Sequence, residues 1–180
     1  MILTRHFHSC PRCSGREFTV DQGDRHFLCR VPACGLEFFL NSAAAVGVIL
    51  YGPDGRLLIL RRAHDPGRGL LGLPGGFVDD GETAEAAVCR ETREEVGLDL
   101  DPGALSYFTS AANLYLYHGV TYQTLDLYFS APCANLEQAR AQAEVAEVIL
   151  ARPEEVDPAA FAFPSGRAAV ARFLRQGKNA

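Results

Sequence analysis

Residues 75–98 read GGFVDDGETAEAAVCRETREEVGL, and the rest of the sequence is organised around this stretch. Its second half is rich in Ala and Glu and contains no proline or interior glycine, so it predicts a helix. At 3.6 residues per turn, Glu91, Glu94 and Glu95 fall on one face of that helix. Gly97 stands where a glycine commonly ends a helix. The pattern therefore predicts a helix that gathers three carboxylates on one face.

A divalent cation explains this clustering of carboxylates. Like charges one turn apart destabilise an exposed helix by roughly 0.2–0.5 kcal/mol per pair. Mg²⁺ takes oxygen ligands, usually one or two carboxylates with waters and substrate phosphates. From the cluster alone, an exposed acidic helix without a ligand is the alternative. The residues Pro74-Gly75-Gly76, which precede an acidic loop at 79–82, predict an unusual backbone corner beside the helix and favour a site.

The stretch resembles the box of the Nudix hydrolases. That box reads glycine, five residues, glutamate, seven residues, Arg-Glu-hydrophobic, one residue, Glu-Glu, one residue and Gly-hydrophobic. Thr92 departs from it at the hydrophobic position after Arg-Glu, where its methyl group can still pack. The matching residues are Gly76, Glu82, Arg90, Glu91, Glu94, Glu95, Gly97 and Leu98. The resemblance implies a hydrolase that cleaves the diphosphate linkage of a nucleoside diphosphate joined to another group.

The resemblance also implies a role for each residue of the box. Glu91 and Glu95 would bind Mg²⁺ or Mn²⁺, and Glu94 would be a weaker ligand acting through water. The backbone carbonyl of Gly75, just before the box glycine Gly76, would complete the set of ligands. The base that activates water varies among relatives.

Three further residues receive roles from the resemblance. Arg90 would orient a glutamate by a charge-assisted bond, with Glu82 as its structural partner. Some relatives recruit a glutamate from the region before the last helix, which here is Glu147, with Glu144 as the alternative. Glu91 and Glu147 are the candidates for the base.

Four of the six cysteines lie near the start of the chain, as Cys10-x2-Cys13 and Cys29-x4-Cys34. Two such pairs suit one tetrahedral Zn²⁺, with a tight turn at each pair, and predict a structural zinc ribbon. Disulfides are the competing interpretation, although they are rare in a reducing compartment. A histidine could replace one thiolate; the candidates are His6, His8 and His26.

A zinc ribbon ahead of a Nudix domain resembles the NADH pyrophosphatase group. The stretch Ser-Gln-Pro-Trp-Pro-Phe-Pro, which is diagnostic of that group, is absent, and the chain has no tryptophan. NADH specificity is therefore not supported, and ADP-ribose, a dinucleotide or a modified nucleotide all stay open as substrates.

Composition narrows the possible partners. The chain has 180 residues, 48% of them hydrophobic, and a formal net charge of −5. An acidic chain argues against a nucleic-acid partner, which needs a basic surface. No apolar run is long enough to span a membrane, and the first residues lack the apolar core of a signal peptide. We therefore expect a cytoplasmic protein with a small-molecule nucleotide substrate, and a homodimer is left open.

The order of predicted elements favours an α/β fold. Strands are expected at 43–51, 57–62, 105–117, 120–130 and 144–150, and helices at the box and at 166–175, capped by Ser165. These elements predict a Nudix-type α/β/α sandwich with a mixed sheet at 42–180, after a small zinc ribbon at 1–41. A short helix or a loop is expected at 135–142.

Two functions of different class follow. The intact box favours the Mg²⁺-dependent hydrolase. The alternative is a nucleotide-sensing binding module in which the ribbon contacts a partner. Residues 1–41 carry five arginines against four acidic residues, which is too balanced for a surface that tracks phosphates.

Overall fold

In this computed structural model the residues described are 7–21, 23, 25–117 and 119–177. The chain divides into two units, Met1–Ser42 and Ala43–Ala180, one residue away from the boundary expected from the sequence. His6, one of the candidates to replace a thiolate, lies outside the described residues.

The first unit contains a three-stranded antiparallel sheet. Its strands are β1 (Phe18–Val20), β2 (His26–Cys29) and β3 (Glu37–Phe39), in the order β1-β2-β3. The Phe27 ring is fully buried and stacks between Phe18 and Phe38, with ring centroids 4.9 and 5.2 Å away. Among the described residues of this unit, Cys10 and Cys29 are the other buried members of the cluster. So small an apolar core supplies little stability by itself, and such units generally need a metal or disulfides.

The second unit is built on a six-stranded mixed sheet. The strands are β4 (Ala43–Tyr51), β5 (Leu57–Arg62), β6 (Leu71–Gly72), β7 (Ser106–Tyr117), β8 (Val120–Pro132) and β9 (Val145–Ala151). They follow the order β6-β5-β4-β8-β7, and β9 pairs with β5. The pairing of β4 with β8 is parallel, and the other pairings are antiparallel.

Two helices pack against this sheet. Helix α1 (Ala84–Val96) begins after Thr83, whose hydroxyl accepts the N–H of Ala86, and ends at Gly97 in a left-handed conformation. Helix α2 is Pro164–Gly177. The prediction that Ser165 caps α2 is wrong, since Ser165 lies inside the first turn and is buried. In the region 135–142 only Leu136–Gln138 form a short 3-10 turn. No helix among the described residues is long and apolar enough to cross a membrane.

Apolar residues cover both faces of the sheet. Val48 and Leu50 of β4 pack with α1 residues such as Val88 in one cluster. Ile49, between them in the strand, packs with Phe161 and the α2 residue Val170 in the other cluster. Successive strand residues point to opposite faces, so a strand with helices on both sides must be apolar throughout. This confirms the predicted α/β/α sandwich with a mixed sheet.

The sheet splits between β4 and β5, which pair only at Tyr51 and Leu57. The segment 74–78 fills the split by bonding to β4 along its length. Val46 N–H donates to the Gly76 carbonyl at 2.8 Å, and Val48 N–H donates to the Pro74 carbonyl at 2.9 Å. This corner lies in the split and carries the first residues of the box.

Gly75 and Gly76 tolerate added volume to different degrees. Gly75 has φ of +150°, and a Cβ there would lie 2.1 Å from the Val46 carbonyl oxygen, against backbone. A Cβ at Gly76 would lie 2.4 Å from Glu91 Oε1, which is the end of a flexible side chain. Backbone cannot move aside, whereas a glutamate carboxylate can rotate away.

We predict that Gly75→Ala destabilises the second unit by at least about 2 kcal/mol, because a methyl group is forced into packed backbone. Gly76→Ala is the matched control and should cost less than about 1 kcal/mol. Urea unfolding of the two variants measures both values. Equal losses of stability would contradict the packing described for the corner.

Candidate active site

A cavity of about 470 Å³ opens where the corner meets the acidic face of α1. Glu91, Glu94 and Glu95 all line it, together with Gly75 and Gly76. The sequence-predicted carboxylates are thus brought to one cavity with the corner that precedes them. Its other walls come from β4, β7, β8 and the segment before α2.

The three carboxylates differ in their surroundings. The Glu91 side chain is only 16% exposed, whereas that of Glu94 is 55% exposed. Glu95 is half-buried, and its Oε2 accepts a hydrogen bond from the Gly75 N–H at 2.9 Å. Glu91 and Glu95 are therefore the two carboxylates held against the protein, and Glu94 lies nearer to solvent.

Burial makes it costly to ionise both of the inner carboxylates. It raises the pKa of Glu95 to about 8, a rise to which the nearby Glu91 charge adds and which the Gly75 hydrogen bond opposes. Burial also raises the pKa of Glu91, although the bond from Arg90 opposes that rise. A cation between the two carboxylates would remove this cost, because it favours their charged forms.

Arg90 holds the glutamates in place from one side. Its Nε and Nη2 donate to the two oxygens of Glu82 at 3.0 and 2.9 Å, a bidentate pair. Its Nη1 donates to Glu91 Oε1 at 2.7 Å, and Nη2 also donates to the Phe77 carbonyl. The hydrogen bonds from Arg90 lower the pKa of Glu82 and keep it charged. One guanidinium thus ties the acidic loop, the corner and Glu91 together.

The donor set around the corner fits a hard cation. Of its three carbonyls, those of Pro74 and Gly76 accept hydrogen bonds from β4. Among the described residues, the Gly75 carbonyl has no backbone donor. The Gly75 carbonyl and the carboxylates of Glu91 and Glu95 thus offer only oxygen ligands. Mg²⁺ and Mn²⁺ prefer such a set.

Glu147 is not among the residues that line this cavity. It lies opposite Arg61 in the pairing of β9 with β5, and Arg61 Nε donates to its carboxylate at 2.8 Å. Glu144, the sequence alternative, precedes β9 and lines the cavity beside Ala143. Of the two glutamates, only Glu144 therefore joins the box carboxylates.

The cavity also contains charged residues to which the sequence analysis gave no role, among them Arg62 and Asp126. Arg62, at the end of β5, lies with its guanidinium carbon 5.0 Å from the centre of the Phe163 ring. Asp126 of β8 is 8% exposed and lines the cavity with Thr124. The alternation of β8 could have placed Thr124 and Asp126 on one face, but nothing in the sequence says which face meets a cavity.

The four N-terminal cysteines form a separate cluster in the first unit. Their sulfurs lie within 4.8 Å of one another, with Cys10–Cys34 and Cys13–Cys29 each 3.7 Å apart. Sulfurs 2.3 Å from a tetrahedral ion stand about 3.8 Å apart, so the cluster fits Zn²⁺. All four cysteines are free thiols, in disagreement with a disulfide framework.

Part of the chain is similar in sequence to known hydrolases. An ADP-ribose pyrophosphatase of Methanocaldococcus jannaschii is 47% identical over 60 residues, 33% of this chain and 35% of that protein. An NAD-capped RNA hydrolase NudC of Deinococcus radiodurans is 39% identical over 92 residues, 49% of this chain and 31% of that protein. The match thus spans about a third of the length of these curated relatives.

A solved structure and a family model cover much more of the chain. The crystal structure of a NUDIX hydrolase from Nitrosomonas europaea has a TM-score of 0.71 and 25% identity, over 95% of this chain and 92% of that one. The family model described as NUDIX domain matches residues 41–173, about three quarters of the chain. That match includes the corner, the acidic face of α1 and the whole cavity, and so the chain belongs to the NUDIX domain family.

Proposed function

We propose that this protein hydrolyses the diphosphate linkage of a nucleoside diphosphate joined to another group, and that it needs Mg²⁺ or Mn²⁺. The observation that carries this proposal is the position of Glu91 and Glu95. They stand one helical turn apart, half-buried, on the wall of the same cavity as the Gly75 corner. Phosphoryl transfer requires mainly positioning and neutralisation of charge, and this cavity collects groups for both.

Glu91, Glu95 and the Gly75 carbonyl would hold the cation, and Glu94 would contribute through water. When bound, such a cation polarises a phosphoryl oxygen and lowers the pKa of water. The protein fixes the ligands beforehand, because Gly75 N–H holds Glu95 and Arg90 holds Glu91. Gly76 allows the Glu91 carboxylate to lie against the backbone, and Glu82 keeps Arg90 in place.

Two further residues that line the cavity would act on the substrate. Arg62 supplies a positive charge suited to a phosphate oxygen, and it is held by a 2.8 Å bond from its Nε to the Pro66 carbonyl. Glu144, which lines the cavity, would accept a proton from the attacking water. In this role it replaces Glu147, whose carboxylate is paired with Arg61.

The names of the relatives support a substrate with an adenosine diphosphate part. One relative is named for ADP-ribose and another for NAD-capped RNA. ADP-ribose, NAD and related dinucleotides are therefore the first compounds to assay. Nucleotide binding without turnover of any of them would favour the alternative, a nucleotide-sensing module.

The proposed hydrolysis predicts the effect of replacing the two inner carboxylates. Glu91→Gln and Glu95→Gln should each lower kcat at least about a hundredfold, or about 2.7 kcal/mol of barrier, because the charge that holds the cation is lost. The measurement is kcat on the best substrate of the panel at saturating Mg²⁺, and EDTA should abolish activity of the unmodified protein.

Glu85→Gln is the matched control for these variants. Glu85 is an exposed residue in the first turn of the same helix and does not line the cavity. An equal loss at Glu85 and Glu91 would mean that the acidic face has been assigned wrongly. Full activity in both Glu91→Gln and Glu95→Gln would contradict the hydrolase mechanism itself.

The same substitution at Glu144 and Glu147 separates the two candidates for the base. We expect Glu144→Gln to lower kcat at least about tenfold, because the carboxylate that accepts the proton is lost. Glu147→Gln removes only an exposed ion pair and should leave kcat within about twofold. The reverse order of effects would restore Glu147 as the base.

We also propose that Cys10, Cys13, Cys29 and Cys34 bind one structural Zn²⁺, which is the reason that so small a unit folds. The spacing of the sulfurs supports a tetrahedral ion, and the thiolates would be protected in a reducing, cytoplasmic setting. Because the apolar core around Phe27 is small, the metal would supply much of the stability of this unit.

Elemental analysis should therefore find about one equivalent of zinc in the purified protein. Cys34→Ser should remove most of the zinc and melt the first unit, while Cys89→Ser, a thiol of helix α1, should change neither. Less than about half an equivalent in the unmodified protein would contradict the zinc site. Retention of zinc by Cys34→Ser would exclude that residue as a ligand.

A further inference from the structure

A row of buried polar side chains lies on the cavity wall formed by β8. Thr124, Asp126 and Tyr128 alternate with apolar neighbours, so they share one face of the strand. All three are buried, with exposed fractions of 3%, 8% and 7%, and all three line the cavity. A polar row at this depth is unusual, because a buried polar group costs free energy unless it is hydrogen-bonded.

Asp126 is the charged member of this row and has few partners. Its Oδ2 accepts a hydrogen bond from the Ser165 hydroxyl at 2.6 Å, and Ser165 in turn accepts from the Tyr128 hydroxyl at 3.0 Å. Among the described residues, no arginine, lysine or histidine pairs with Asp126. A carboxylate offers about four acceptor sites, so a single side-chain bond leaves most of its capacity unused.

The bond to Ser165 could have a purely structural purpose, since it ties the first turn of α2 to β8. That purpose needs one acceptor oxygen, which a neutral asparagine would also supply. A buried charge without a cationic partner is an expensive way to obtain it. The unused acceptor sites, on a residue that lines a cavity, suit a ligand that brings its own hydrogen-bond donors.

The neighbouring walls are suited to a flat ring. Tyr115 and Phe163 both line the cavity, and their ring centroids are 5.4 Å apart. Asn113, two residues before Tyr115 on β7, lines the same wall. Aromatic faces stack on nucleobases of any kind and give affinity with little selectivity, so selectivity must come from a polar group at the edge of the ring.

We propose that Asp126, positioned by Ser165, is a specificity-determining residue that accepts a hydrogen bond from an amino group of a nucleobase bound in this cavity. The base would stack on the aromatic wall while its phosphates extend toward the acidic face of α1. This inference rests on the proposed function only in that a nucleotide occupies the cavity. It selects adenine, guanine or cytosine nucleotides, whose exocyclic amino groups donate, over analogues that lack the amino group.

The test is a double-mutant cycle on binding, with one change in the protein and one in the ligand. The ligands are 5′-monophosphates in pairs that differ by one exocyclic amino group. The pairs are AMP with purine riboside monophosphate, GMP with IMP, and CMP with its 4-deamino analogue. Each is titrated by calorimetry into the unmodified protein and into Asp126→Asn.

In at least one pair, the unmodified protein should bind the amino-bearing nucleotide at least about tenfold more tightly, and Asp126→Asn should remove this difference. The reason is that the Ser165 hydroxyl needs an acceptor, so the asparagine oxygen turns toward it and its NH₂ group faces the ligand. Two donors then oppose each other. The exposed Asp99→Asn is the matched control and should keep the preference.

Three outcomes would overturn the proposal. Asp126→Asn could weaken both members of a pair equally, which is the result of a residue that only anchors α2. The unmodified protein could show no preference within any pair, or it could bind none of the six nucleotides at millimolar concentration. Because monophosphates contain no diphosphate linkage, the cycle is independent of turnover. A protein that shows the coupling but cleaves nothing would refute the hydrolase and keep this assignment.

Discussion

The close approach of the corner to β4 is the constraint on which the rest of the site depends. A Cβ at Gly75 would lie 2.1 Å from the Val46 carbonyl oxygen, so the chain passes there only because that residue has no side chain. The hydrogen bonds from Val46 and Val48 then fix the corner in the split of the sheet. As a result the Gly75 N–H points at Glu95, and the orientation of the acidic face is set by backbone.

Ionisation of the glutamates on the acidic face is unfavourable, and Arg90 offsets part of this cost. Burial raises the pKa of both Glu91 and Glu95, and each carboxylate makes the other harder to ionise. Arg90 compensates on one side, since it binds Glu82 and Glu91 together. Glu95 accepts one hydrogen bond, from the Gly75 N–H, and the positive charge of Arg62 also favours its ionised form, but burial outweighs both. Two carboxylates that are costly to ionise without a counter-ion agree with the proposed cation site.

The cavity brings together two ends with different chemistry. One end is formed by the corner and α1 and offers oxygens and charge. The other is formed by β7, β8 and the start of α2 and offers aromatic faces with Asp126 among them. A nucleoside diphosphate has the same two-ended character, since its phosphates are anionic and its base is flat and neutral. A substrate of the proposed class would therefore contact both parts of the cavity.

Local sequence patterns determined the helices and strands, whereas strand register and helix packing determined which side chains lie together. The sequence predicted the strands 43–51 and 57–62, the face of α1 and the paired cysteines, because periodicity, caps and spacing are properties of neighbouring residues. It could not separate Glu144 from Glu147, since that depends on the register that puts Glu147 opposite Arg61. It also missed the contact of Asp126 with Ser165, 39 residues away, which exists only because the first turn of α2 lies against β8.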